Sequence, residues 1–182
     1  SWTINTVYLR TLWIGSNNYE AIRKLASWGA DVSLGELISM YNKGELKIVE
    51  LQQSNIWDRK KINLFIDSIL IGIPVPSIVL AIVNNEKYII DGFQRIKTIY
   101  DFVFKGSNLN DNKAYKLSDS ESINKKWRGK AFCELDPEDQ RKILETTIHT
   151  IVLEHKNTKE NDTLLHNIFE RYNRSVFKRD PT

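Results

Sequence analysis

The five residues Asp91-Gly92-Phe93-Gln94-Arg95 carry the side chains of this chain that are best suited to binding chemistry. They follow the apolar run 88–90 and open a segment in which apolar residues recur at helical spacing. The first N–H groups of a helix have no acceptor within the helix, and the helix dipole adds partial positive charge there. Such an end attracts anions, and the fork of Arg95 matches a phosphate. The pattern therefore predicts a site for the phosphates of a nucleotide or a nucleic acid.

Each residue of this turn has a predicted role. Asp91, Gln94 and Arg95 are the candidate catalytic residues, and Asp91 is also the candidate ligand of a Mg²⁺ ion that bridges phosphates. Gly92 has no Cβ, so it lets backbone approach a ligand closely and joins Arg95 as a nucleotide contact. In the alternative interpretation the residues have structural roles only: Asp91 caps the helix, Gly92 forms the turn, and Arg95 is an exposed helix residue. Spacing alone leaves both interpretations open.

Two further clusters carry polar groups suited to nucleotide binding. Gln52 and Gln53 follow an apolar strand, where they serve either as turn residues or as amides that contact a base or a phosphate. Asn173 lies in the run 171–174 at the end of the last predicted helix. Basic residues at a helix C-terminus also complement the dipole, so a structural role competes there too.

Capping residues and helix breakers divide the chain into alternating helices and strands. Ser33 and Asp58 have the properties of N-caps, Gly72 of a helix end, and Asn84-Asn85 of a hairpin turn. Helices are predicted after residues 33, 58, 92 and 136 and from Thr158, and strands at 46–51, 78–83, 87–90 and 148–153. This order predicts an α+β fold, a small mixed sheet flanked by helices.

Residues 107–130 are polar and rich in turn formers, which predicts a long surface excursion. Trp127 stands there in a basic run, either to stack on a base or to anchor the loop in the core. The predicted organisation is an N-terminal extension, 1–32, followed by one domain, 33–182. Because the sequence begins at Ser1 and stops at Arg179-Asp180-Pro181-Thr182 without a closing element, we expect a fragment of a longer chain.

The composition is that of an ordinary globular protein, with 41% hydrophobic and 27% charged residues among 182. A net charge of +3 is too small to indicate nucleic-acid binding by itself. The single cysteine cannot form an internal disulfide, which predicts a cytoplasmic location. No apolar run is long enough to span a membrane. The chain also has no Walker A segment and no Gly-rich dinucleotide loop, so the sequence does not support a P-loop or Rossmann mechanism.

Three runs, 57–76, 88–95 and 168–173, occur in a characteristic order and spacing. In this combination the chain closely resembles the N-terminal domain of GmrSD-type modification-dependent restriction enzymes, over about Ser33 to Asn173. That family is marked by an Asp-Gly-Gln-Gln-Arg motif and belongs to the ParB/sulfiredoxin-like superfamily. Asp91, Gly92, Gln94 and Arg95 match the motif, and Phe93 departs from it.

The resemblance implies a ParB/sulfiredoxin-like fold whose motif turn contacts nucleotide phosphates, in a cytoplasmic system that acts against phage. An earlier family motif, Pro-aromatic-Gln-Arg, is represented by Glu50-Leu51-Gln52-Gln53, so Gln53 replaces an arginine. Asn173 matches the asparagine of a later Phe-x-x-x-Asn segment. The missing guanidinium puts catalytic activity in doubt, because a charge-assisted bond contributes about 1.5–3 kcal/mol.

Three functions are therefore compatible with the sequence. The first is a nucleotide-binding regulatory domain that hydrolyses an NTP, with Mg²⁺ as cofactor and a C-terminal nuclease domain or separate nuclease subunit as partner. The second is a DNA nuclease, which the scattered histidines, 149, 155 and 166, do not favour. The third is a catalytically degenerate module that binds DNA or protein.

Overall fold

The computed structural model describes residues 16–49, 56–107, 115–155 and 161–177. The helices within these ranges are α1 (Ser16–Arg23), α2 (Leu34–Asn42), α3 (Arg59–Ile71), α4 (Phe93–Tyr100), α5 (Pro137–Glu145) and α6 (Asn161–Phe177). The strands are β1 (Ala26–Ser33), β2 (Leu46–Ile48), β3 (Ile78–Val83), β4 (Glu86–Asp91) and β5 (Thr147–His155). Helix α4 continues into a π-helical turn, Asp101–Lys105, and a 3-10 turn covers Phe132–Glu134. None of these helices is long and apolar enough to cross a membrane.

The five strands form one mixed sheet in the order β1-β5-β3-β4-β2. The β1–β5 and β3–β4 pairs are antiparallel, whereas β5–β3 and β4–β2 are parallel. Alternate residues of β3 point to opposite faces: Ile78 and Leu80 join the core formed with α2, α3, α4 and α5, whereas Val79 and Ala81 join the core formed with α6. Apolar residues of α1 pack on that second core. The predicted α+β fold with a mixed sheet between helices is confirmed.

Local signals place most element boundaries. The side chains of Ser33 and Asp58 each accept a hydrogen bond from the backbone N–H three residues on, at 3.1 and 2.8 Å. Gly72 ends α3 in the left-handed region, with φ 90°. Asn84 and Asn85 both have positive φ, 51° and 63°, as a tight hairpin turn requires. These caps and turns lie where the sequence predicts them.

Strand β1 was not predicted, and it lies almost entirely in the segment that was assigned to an N-terminal extension, 1–32. It pairs with β5 along its whole length, from Ala26 opposite Glu154 to Ser33 opposite Thr147. The strand predicted at 46–51 ends at Ile48, and residues 50–51 lie outside the described part of the chain. The last helix begins at Asn161, and the start predicted at residue 158 also lies outside it.

The surface excursion predicted at 107–130 is wrong for its described part, which packs into the core. Leu117, Ile123 and Trp127 are buried at 2%, 1% and 5% exposure. Trp127 Nε1 donates to Asp67 Oδ1 on α3 at 2.7 Å, and the backbone N–H of Asn124 donates to the same oxygen at 3.0 Å. Of its two predicted roles, Trp127 therefore has the structural one, because its polar atom and its ring are both in the interior.

Replacing Trp127 by phenylalanine tests this anchor. The change keeps an aromatic ring but removes the indole donor, which leaves a buried carboxylate oxygen with one hydrogen bond fewer. We expect the free energy of unfolding to fall by about 1–3 kcal/mol in urea titrations. Trp28→Phe is the matched control, because Trp28 is 46% exposed and the same change there is expected to cost less than about 0.5 kcal/mol. Equal effects at the two positions would contradict the anchoring role.

Candidate functional site

The motif turn has the strand–turn–helix geometry predicted for it. Strand β4 ends at Asp91, Gly92 is the N-cap of α4, and the helix begins at Phe93. Gly92 has φ 105° and ψ 8°, and no side chain of the described residues caps the helix. A Cβ built on Gly92 would lie 2.4 Å from Ile78 Cγ2 on the neighbouring strand. Glycine is thus required by the backbone angle and by close packing on β3, independently of any ligand.

The Arg95 side chain lies against the turn, and both of its hydrogen bonds to the described residues come from one guanidinium nitrogen, Nη2. Its Nη2 donates to the carbonyl oxygen of Ser77 at 2.8 Å and to Asp91 Oδ2 at 3.1 Å. The Arg95 and Asp91 side chains are 15% and 19% exposed, so the ion pair is largely shielded from water. Arg95 Nε is buried and has no hydrogen-bond partner in the described part of the chain. Because buried donors are normally paired, this nitrogen is a notable exception.

Gln94 has different surroundings from Arg95, although the two are adjacent. Its Oε1 accepts a hydrogen bond from the backbone N–H of Trp57 at 3.3 Å, which ties the turn to the segment that leads into α3. Gln94 and Phe93 also line a cleft of about 420 Å³ between α2, α3 and α4. The predicted catalytic residues therefore separate into two groups, with Asp91 and Arg95 together and Gln94 on the cleft.

Helix α6 carries a residue near the turn, Tyr172, that was not among the predicted site residues. Burial raises the pKa of the Tyr172 hydroxyl, the nearby Asp91 carboxylate raises it further, and Arg95 lowers it. The Tyr172 hydroxyl therefore interacts electrostatically with both members of the Asp91–Arg95 ion pair. Its neighbour Asn173, the predicted nucleotide contact, donates from Nδ2 to the Phe169 carbonyl oxygen at 2.9 Å within α6. The Tyr172 position could have been found from its place beside Asn173 in the family segment.

Gln52 and Gln53, the other predicted contacts, lie outside the described residues. Strand β2, which precedes them in the chain, lies entirely within the described residues. Strand β2 runs parallel to β4, with Ile48 opposite Ile89, so both strands end at the same edge of the sheet. The Asp91 turn follows β4 directly at that edge. A contribution of Gln52 and Gln53 to the site stays a prediction.

Asp91 is also the residue predicted to hold Mg²⁺. Its Oδ2 is bonded to Arg95 at 3.1 Å, and a cation bound to the same carboxylate would face the positive guanidinium. No group of three or more His, Cys, Asp or Glu side chains with metal-binding geometry occurs in the described ranges. A Mg²⁺ ion at Asp91 would therefore share the carboxylate with Arg95. Mg²⁺ binding stays a prediction.

The family of the chain follows from its match to a known protein-family model. The family model for the GmrSD restriction endonuclease N-terminal domain matches residues 34–176, most of the chain. The chain belongs to this family. The match begins directly after the N-cap of α2 and ends inside α6, so it includes the turn and Asn173. No curated protein matches the chain. Membership in the GmrSD family makes the chain a component of a restriction-type system of phage defence.

Proposed function

We propose that this GmrSD-type domain binds a nucleotide through its phosphates at the Asp91–Arg95 turn and acts as the regulatory part of its restriction system. The observation that carries the proposal is the helix end itself. Among the described residues no side chain caps the N-terminus of α4, and the largely shielded guanidinium of Arg95 lies beside it with Nε unpaired. Free N–H groups, the helix dipole and an arginine fork together are the usual means of binding phosphate oxygens.

The ion pair with Asp91 supports this role, because it positions Arg95. A bond from Nη2 to the fixed carbonyl of Ser77 and another to Asp91 hold the guanidinium in one orientation. A side chain that is already ordered loses less conformational entropy when a ligand binds. Asp91 also offsets part of the positive charge, so Mg²⁺, if it accompanies the nucleotide, would supply the additional neutralisation. In this proposal Asp91 acts as a positioning residue.

Binding is better supported than turnover. In the described structure the Oε1 of Gln94 is already engaged by the Trp57 N–H, and Asp91 is engaged by Arg95. A general base or a residue that orients an attacking water needs a free acceptor. Hydrolysis at this turn would therefore have to use the remaining acceptor positions of the two groups, such as Asp91 Oδ1, or exchange their present partners. The catalytically degenerate binding module is the second candidate, and the same two contacts favour it.

Calorimetry with the four common NTPs, each with and without Mg²⁺, tests the proposal. We expect saturable binding of at least one NTP at one site per chain. The absence of binding for all four would refute the nucleotide site. Phosphate release, followed in the same samples, would add hydrolysis to binding. Cleavage of plasmid DNA with Mg²⁺ or Mn²⁺ that the Asp91→Ala substitution removes would instead favour the nuclease.

A further inference from the structure

The cleft beside α4 has the size and lining of a small-molecule site. Its volume, about 420 Å³, lies within the range of about 300–1,000 Å³ that is usual for such sites. One wall is a polar stripe along α4 and its π-helical extension, and the remainder is apolar or aromatic. The polar stripe comprises Gln94, Lys97, Thr98 and Asp101, and the rest of the lining comprises Tyr41, Ile48, Ile56, Ile62, Phe93 and Tyr115.

The aromatic side chains of this cleft are suited to a flat ligand. Three rings contribute to the lining, those of Tyr41, Phe93 and Tyr115. Rings of this kind stack on nucleobases of any type, because every base has a π-face. Burial and the Asp101 carboxylate both raise the pKa of the Tyr41 and Tyr115 hydroxyls, although Arg59 lowers that of Tyr115. Both hydroxyls therefore keep their protons near neutral pH and serve as hydrogen-bond donors.

One residue that lines the cleft has a buried polar group without the hydrogen-bond partner that such groups normally have. The Tyr115 hydroxyl is buried and has no hydrogen-bond partner among the described residues. The Tyr115 ring is held from behind by Arg59, whose guanidinium lies 4.8 Å from the ring centre and donates to the Lys116 carbonyl oxygen at 2.6 Å. Because this hydroxyl is closed off from solvent, a ligand acceptor would satisfy it if the cleft opens around Tyr115 when the ligand binds.

The polar stripe connects the cleft with the motif turn. Gln94 lies in the first turn of α4, and Asp101 begins the π-helical extension, where Lys97 and Lys105 pair with it. Seven residues of helix span about 10 Å at about 1.5 Å per residue. That distance suits a nucleotide with its phosphates at the helix N-terminus and its base further along the helix. π-helical turns often occur at functional sites.

We propose that this cleft holds the nucleoside part of the bound nucleotide, with its base against the rings of Tyr41, Phe93 and Tyr115. The inference rests on the proposed function, since the phosphates at the turn set where the nucleoside lies. Phe93, the residue at which this chain departs from the family motif, then lies in the wall of the cleft that contacts the base.

Calorimetry with three probes separates the cleft from the turn. The probes are an NTP, inorganic tripolyphosphate and the corresponding nucleoside. We expect the NTP to bind at least tenfold more tightly than tripolyphosphate, because only the NTP reaches the cleft. Equal affinities would overturn the cleft proposal and leave the phosphate site standing. Nucleoside binding without tripolyphosphate binding would refute the phosphate site and support the cleft. Failure of all three probes to bind would overturn both.

Two substitutions test the rings directly. We expect Tyr41→Ala to weaken NTP binding about tenfold or more, in line with the loss of a stacking partner, and to leave tripolyphosphate affinity unchanged. Tyr115→Phe keeps the ring and removes only the buried hydroxyl, so this variant should disturb the fold least. We expect it to weaken NTP binding and to leave tripolyphosphate binding unchanged. Trp28→Ala, on the far edge strand, is the control. Unchanged NTP affinity in both ring variants would overturn the proposal.

Discussion

Replacing Arg95 by alanine is expected to weaken nucleotide binding by about 10- to 150-fold. The physical reason is the loss of a charge-assisted hydrogen bond to phosphate, which contributes about 1.5–3 kcal/mol. The same loss should appear with tripolyphosphate, because the guanidinium lies at the turn and not among the residues that line the cleft. Arg95→Lys keeps the positive charge and removes the fork, so we expect an intermediate affinity. Calorimetry measures each dissociation constant.

The matched control is Arg141→Ala, which removes the same side chain from an exposed position on α5. We expect the Arg141→Ala protein to bind nucleotide with native affinity. Circular dichroism and thermal unfolding establish that the Arg95→Ala protein is folded, since that variant also loses the bonds to Ser77 and Asp91. A folded Arg95→Ala protein that binds nucleotide with native affinity would show that the phosphates do not lie at this turn.

The Gly92→Ala substitution should produce the largest loss of stability of any single change considered. Its new methyl group would lie 2.4 Å from Ile78 Cγ2 and 2.9 Å from Ile78 Cβ, closer than any relaxed contact. The position also has φ 105°, where a side chain is strained. Overpacking typically costs about 1–3 kcal/mol and left-handed strain about 1–2 kcal/mol, so we expect a total of about 2–5 kcal/mol. Urea unfolding at equilibrium measures it.

Gly44→Ala separates the two causes. Gly44 also has a positive φ, 74°, but a Cβ there would meet no atom within 4 Å. We therefore expect only the backbone strain, about 1–2 kcal/mol. If both substitutions cost the same, the contact with Ile78 has no energetic weight, and the glycine is needed for its backbone angle alone.

Much of the fold follows from signals that act within a few residues. Ser33 and Asp58 cap helices because their side-chain oxygens reach N–H groups three positions on. Asn84-Asn85 makes the hairpin because asparagine tolerates positive φ. The strand–turn–helix geometry at Gly92 was predictable for the same reason. Strand β1 was not, because its sequence, Ala-Ser-Trp-Gly-Ala-Asp-Val-Ser, has little β-propensity and depends on pairing with β5, more than 110 residues away.

The sequence by itself therefore determined the family, the α+β class, the order of the elements from α2 onwards and the position of the Asp91–Arg95 turn. Motif spacing and capping are properties of neighbouring residues. Only the tertiary structure decided what surrounds each side chain of the turn. It placed Arg95 between Ser77 and Asp91, turned Gln94 towards Trp57 and the cleft, and set Ile78 against Gly92. Those neighbours come from separate strands and helices, so their proximity depends on how the sheet and its covering helices pack.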